Sequence, residues 1–129
     1  MAQDLKKILI IDDEVDICTF TKRALDRTGI FETFATQDSE EGITIAKSKL
    51  PDLILLDINM PKLDGGEVAQ ELSQYQPTSA IPIVFVTALL KKDEADADGK
   101  INKHFFLPKP ISAVELIDKI EEVLGMKKN

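Results

Sequence analysis

The stretch Leu53-Ile54-Leu55-Leu56-Asp57-Ile58-Asn59-Met60-Pro61, followed by Asp64-Gly65-Gly66, decides how this chain folds. Its apolar run is continuous, the pattern of a central strand covered on both faces. It stops on a carboxylate, and Pro61 and Gly65-Gly66 then force a turn before the next helix. Three other apolar runs also lead into a polar residue: Ile8–Ile11 into Asp12-Asp13, Ile81–Val86 into Thr87, and Phe105–Leu107 into Lys109-Pro110. If the four runs are neighbours in one parallel sheet, their carboxyl ends gather three carboxylates, a hydroxyl and an ammonium in one crevice, where such sheets bind ligands.

The intervening sequence supplies the helices that a parallel sheet requires. Ile17, Phe20, Ala24 and Leu25 share a helical stripe that stops at Gly29, and Phe31–Ala35 reads as a second strand. Asp38 with Glu41 has the form of a capping box for a helix through Ile45 and Ala46, ended by Pro51. A third helix runs through Val68, Ala69 and Leu72 and has ended by Pro77. Lys91–Asn102 is a weakly anchored, charge-dominated helix expected to be mobile, with Asn102 turning left-handed into the last strand. Ser112 and Glu115 form a second capping box before Val114, Leu116, Ile117, Ile120, Val123 and Leu124. Five strands alternating with five helices predict an α/β, doubly wound, flavodoxin-like fold with a five-stranded parallel sheet in the order 2-1-3-4-5 and helices on both faces. The switch point of that order lies between the strands that end in Asp12-Asp13 and Asp57.

Composition sets the outer bounds. With 129 residues, 43% of them hydrophobic, the chain is expected to be one domain over 1–129. Sixteen basic against 23 acidic residues, a net charge of −7, argues against nucleic-acid binding, which rests on Lys and Arg meeting phosphates. No apolar stretch approaches the ~20 residues that span a bilayer, and Met1–Lys7 is too polar for a signal peptide, so no membrane partner and a cytoplasmic location are expected. Cys18 is the only cysteine, which excludes an intrachain disulfide. Its place in a helical pattern suits a small buried residue.

Three carboxylates brought together repel one another unless protons or a cation relieve them. Oxygen ligands without His or Cys suit Mg²⁺, with Mn²⁺ as a substitute. With the ion held mainly by Asp12 and Asp13, Asp57 keeps an oxygen free to attack phosphorus and form an acyl phosphate. Lys109 and the Thr87 hydroxyl would then meet the remaining phosphoryl oxygens. Each residue taken singly has a plainer reading: Asp12-Asp13 could cap the following helix, Asp57 could start a loop, Thr87 could bond backbone, and Lys109 could be a solvated charge.

At these residues the chain resembles the receiver domain of two-component response regulators, over Lys7 to Leu124. The matching motifs are Ile-Asp12-Asp13-Glu, Leu-Leu-Asp57-Ile-Asn-Met-Pro61 with Asp64-Gly65, Val-Thr87-Ala88, and Phe106-Leu-Pro-Lys109-Pro110. The resemblance implies a regulator and not an enzyme, with Asp57 converted to aspartyl phosphate by a histidine kinase or a histidine phosphotransfer protein. It implies Mg²⁺ on Asp12, Asp13, Asp57 and the backbone carbonyl of Asn59, Lys109 against the phosphoryl group, and a cis Lys109-Pro110 peptide. It also implies a switch in which Thr87 moves towards the phosphoryl group and Phe106 turns inward.

Three positions depart from the commonest pattern or vary within it. Phe106 has no hydroxyl where Tyr is frequent, Pro108 removes a backbone donor beside Lys109, and Leu89 is expected to shield the acyl phosphate from water. The main rival is a haloacid-dehalogenase-like phosphatase with Asp57 as nucleophile, but its usual second acid is replaced here by Asn59, which cannot serve as a proton donor. A flavodoxin-like nucleotide or flavin binder would want a Gly-, Ser- or Thr-rich loop where Asp-Asp-Glu stands. The expectation is a stand-alone receiver without an effector domain, signalling to a downstream protein through the fourth helix, fifth strand and fifth helix, where Ile101, Lys103, His104 and Ile111 are candidate contacts.

Overall fold

In a computed structural model, which describes residues 5–88, 100–101 and 104–126, the apolar runs become strands β1 (Lys6–Ile11), β2 (Phe31–Thr36), β3 (Leu53–Leu56), β4 (Ile83–Thr87) and β6 (His104–Pro108). A two-residue strand, β5 (Lys100–Ile101), pairs antiparallel with β6 at the sheet edge. The helices are α1 (Val15–Asp26), α2 (Ser39–Lys49), α3 (Gly65–Gln74) and α4 (Ala113–Leu124), with a short 3₁₀ turn at Gln76–Thr78. The sheet order is β2-β1-β3-β4-β6-β5, and every pairing but the last is parallel. Counting the five parallel strands alone, this is the expected 2-1-3-4-5 arrangement. Most of the expected Lys91–Asn102 helix lies outside the described residues, and the part that is described, Lys100–Ile101, is strand. Leu89, Asn102 and Lys103 also lie outside them.

The strand pleat sorts the core into two layers. Ile8, Ile10, Leu53, Leu55, Val84 and Val86 face α1 and α4, meeting Cys18, Leu25, Leu116 and Ile120. Leu9, Ile11, Ile54, Leu56, Ile83 and Phe85 face α2 and α3, meeting Ile43, Ala46, Val68, Ala69 and Leu72. Both faces of β1 and β3 are thus buried, as their unbroken apolar runs require. Each fully buried Leu or Ile contributes about 1.5–3 kcal/mol over its exposed state.

Local signals explain most helix starts, and three side chains, Glu41, Phe20 and Val114, differ from expectation. Asp38 caps α2 by accepting from the Glu40 and Glu41 amides, but Glu41 does not complete the box, because its carboxylate takes the Thr36 hydroxyl instead. Complete boxes occur at α4, with Ser112 and Glu115, and at α3, with Asp64 and Glu67. Phe20 is 44% exposed and Val114 68% exposed. The buried face of α1 is Cys18, Thr21, Ala24 and Leu25, one step round the helix from the stripe on which Phe20 was placed. Val114, in the first turn of α4, precedes the Leu116 and Ile120 pair that enters the core.

Gly65 ties this framework to the carboxyl end of β3. Its amide donates to the Ile58 carbonyl at 2.8 Å, and a Cβ there would stand 2.6 Å from the Asp57 carbonyl oxygen and 2.8 Å from the Ile58 Cα. Both neighbours are backbone and cannot turn aside. Gly65→Ala is therefore expected to destabilise the chain by about 1–3 kcal/mol in urea unfolding, whereas Gly66→Ala, whose Cβ meets only the Asp64 side chain at 3.4 Å, should cost much less. Equal losses at the two positions would contradict this packing.

Candidate functional site

The parallel register fixes where the polar strand ends meet. Ile11 pairs with Leu56, and the Asp57 amide donates to the Ile11 carbonyl at 2.9 Å, so Asp12 and Asp57 emerge side by side. Thr87 pairs with Pro108, and the Lys109 amide donates to the Thr87 carbonyl at 2.9 Å, which brings Lys109 to the same edge. The Lys109-Pro110 peptide is cis, as the family resemblance implied. Asp13, Glu14, Asp57, Asn59, Thr87, Ala88 and Lys109 line one cavity of about 200 Å³.

Beside it, carboxylate oxygens of Asp12, Asp13 and Asp57 lie within 4.8 Å of one another. Asp12 and Asp57 are buried and Asp13 is exposed. The Lys109 ammonium sits 2.9 Å from Asp12 Oδ2, 2.8 Å from Glu14 Oε1 and 3.6 Å from Asp57 Oδ2. Asp12 does part of the plainer work considered for it, because its Oδ1 accepts from the Glu14 amide at 3.0 Å. That leaves Oδ2 for the cation. Asp57 Oδ1 accepts weakly from the Asn59 amide at 3.4 Å. Thr87 is buried at the end of β4.

The electrostatics follow from these distances. Burial and the neighbouring Asp12 charge push the Asp57 carboxyl up to about 6, and the Lys109 ammonium opposes that rise only in part. Burial also works against the charge on Lys109, but hydrogen bonds to Glu14 and Asp12 and the surrounding carboxylates outweigh it, so the ammonium is held above its ordinary range. The site therefore has more negative charge than one lysine relieves. The chemistry of the donors, oxygen alone with a shortage of positive charge, fits a hard divalent cation such as Mg²⁺.

Phe106 is half-buried and stacks on Phe85 with ring centroids 5.1 Å apart. In the β4–β6 register this pair precedes the Thr87–Pro108 pair by two residues, so Phe85 and Thr87 point to the same sheet face. Phe105 packs on the opposite layer. Cys18 is buried, with Sγ 3.2 Å from the Asp12 carbonyl, and burial raises its thiol, which suits a structural residue. Glu14 was quoted in the sequence motif, yet its partnership with Lys109, 95 positions away, was not anticipated. The run of three acids, Asp12-Asp13-Glu14, is the available signal.

A family model described as the response regulator receiver domain matches residues 8–121. The chain is 36% identical over all 129 residues to the probable transcriptional regulator ycf27 of Cyanophora paradoxa, covering 52% of that protein. It is 31% identical to the polar-differentiation response regulator DivK of Brucella ovis, over 93% of this chain and 97% of that one. Among solved structures, the chemotaxis protein CheY4 of Vibrio cholerae shares the fold with a TM-score of 0.82, covering 93% of this chain and 99% of its own, at 24% identity. The chain spans about half the length of the transcriptional regulators it matches. Among the described residues no helix is long and apolar enough to cross a membrane.

The raised Asp57 carboxyl has a consequence for stability. Between its ordinary 3.8 and about 6, the folded chain holds a proton that the unfolded chain has released, so stability falls as pH rises through that window and stays low above it. In metal-free buffer, Asp57→Asn is expected to be more stable than the native chain at pH 7 by about 1–3 kcal/mol, with the gain gone near pH 4. Urea unfolding at both pH values measures it, and an advantage equal at pH 4 and pH 7 would contradict the shift.

Proposed function

The chain belongs to the receiver-domain family of response regulators, the phosphorylation-controlled switches of two-component signalling, and from that premise we propose that Asp57 is its phospho-acceptor. The observation that carries this reading is the meeting of Asp12, Asp13, Asp57, Thr87 and Lys109 at one sheet edge around one cavity. In the transfer, an Asp57 carboxylate oxygen bonds to phosphorus as the phosphorus–nitrogen bond of a phosphohistidine breaks, and the imidazole nitrogen keeps the bonding pair. The donor is a histidine kinase or a histidine phosphotransfer protein. Lys109, already protonated, meets the phosphoryl charge without moving a proton, and the Thr87 hydroxyl donates to a phosphoryl oxygen. Such transfer needs alignment and charge neutralisation above all.

Asp12, Asp13, Asp57 and the Asn59 carbonyl are the residues we assign to Mg²⁺, or Mn²⁺ in its place. When bound, the ion supplies positive charge to the developing phosphoryl oxygens. Asp12 and Asp13 would hold it, and Asp12 also anchors Lys109. The phosphorylated residue gains about −1.5 to −2 charge. That charge draws Thr87 inward, and Phe106, resting on Phe85 two residues before it, follows. Lacking a hydroxyl, Phe106 can report the change only through packing.

The output we propose is protein binding through β6, α4 and the segment between β4 and β6, in the cytoplasm. Nucleic acid is a poor partner for a chain of net charge −7. The phosphatase alternative finds no support: Asn59 stands where its general acid would be, and the family match points elsewhere.

Incubation with acetyl phosphate and Mg²⁺ is expected to add ~80 Da to the native chain, the mass of one phosphoryl group, and nothing to Asp57→Asn. Lys109→Ala should slow uptake by about 10²-fold, and chelation of the metal should abolish it. Intact mass spectrometry over time measures all three, and an adduct persisting on Asp57→Asn would overturn the assignment.

A further inference from the structure

Among the described residues, Glu14 is the one carboxylate lining the cavity that neither the acceptor role nor the metal set uses. It is the N-cap residue of α1, so the helix start fixes its backbone, and its side chain is 59% exposed at the cavity mouth. Its Oε1 makes the shortest of the three contacts to the Lys109 ammonium, 2.8 Å, against 2.9 Å to Asp12 and 3.6 Å to Asp57. The ammonium is therefore drawn towards the α1 side and stands furthest from the acceptor. The Lys109 side chain is only 9% exposed and has little room to satisfy a further anion without releasing one.

We propose that Glu14 is a positioning residue that restrains phosphorylation: it competes with the incoming phosphoryl group for Lys109, and its release is a step in uptake. This rests on Asp57 being the acceptor. Asp12 cannot play the same part, because its other oxygen is bound to the Glu14 amide and it sits inside the acidic cluster. Glu14 can swing into water, and its loss from Lys109 is the cheapest exchange open to the site. Lys109 stays protonated throughout, and the only bonds made and broken are those of the transferred phosphorus.

The experiment compares native, Glu14→Gln, Glu14→Asp and Asp16→Asn chains with acetyl phosphate at fixed Mg²⁺, followed by intact mass. Glu14→Gln removes the charge, whereas Glu14→Asp keeps the charge but is one methylene too short for the 2.8 Å contact. Asp16, exposed in the first turn of α1 and absent from the cavity lining, controls for net charge. Uptake is expected to rise roughly two- to fivefold in both Glu14 variants, the range set by an exposed ion pair, and to stay at the native rate in Asp16→Asn. Raising NaCl from low to high should shrink the advantage of Glu14→Gln.

As an equilibrium readout, beryllofluoride with Mg²⁺ should bind both Glu14 variants more tightly than the native chain by a similar factor. Native or slower rates in both variants overturn the proposal, as does a gain in Glu14→Gln alone, which would make the effect one of local charge and not of the contact. If the native chain takes up no phosphoryl group at all, the acceptor assignment fails; if it does so and the variants match it, only the role of Glu14 fails.

Discussion

The structure is organised around the confinement of several carboxylates with a single ammonium. Asp12, Asp13 and Asp57 crowd within 4.8 Å, and Lys109 is the cation that touches Asp12, Glu14 and Asp57 together. No arrangement of these groups is comfortable in the resting chain: burial and the Asp12 charge lift the Asp57 carboxyl to about 6, and Lys109 is shared among three carboxylates. The core around them tolerates this because two apolar layers hold the strand ends in place. A site with unspent electrostatic tension responds strongly to the arrival of a divalent cation or a phosphoryl group, and that responsiveness suits a switch.

The fold serves the site through registers more than through individual contacts. The Asp57 amide on the Ile11 carbonyl and the Lys109 amide on the Thr87 carbonyl are ordinary sheet bonds. They nonetheless decide that residues 45 and 22 positions apart share one edge. Gly65 brings the start of α3 against the same backbone, and the complete capping box of Asp64 and Glu67 holds that helix in position. Two residues before Thr87, the Phe85–Phe106 stack joins β4 to β6 on one face of the sheet.

How far the sequence spoke depended on the range of each interaction. The strands were legible because continuous apolar runs ended in polar residues of distinct chemistry, and the order of the five parallel strands followed from the alternation of elements. The buried face of α1 was read one step out, since Phe20 competes with Thr21 for the stripe and composition favours the aromatic. The two-residue strand Lys100–Ile101 was too short to give any periodicity. Glu41 does not close its box because its carboxylate accepts from the Thr36 hydroxyl, whose oxygen in turn accepts from the Asp38 amide. The bond between Glu14 and Lys109 joins two loops 95 residues apart, and only the folded sheet shows that they face one another.

The most direct test of the central claim is the titration of the Asp57 carboxyl carbon by NMR, with and without Mg²⁺. Crowding unrelieved by a cation predicts a transition near pH 6 in the metal-free chain and a displacement of that transition to lower pH when Mg²⁺ is added. A transition at the ordinary carboxylate position of about 4, indifferent to Mg²⁺, would contradict the account.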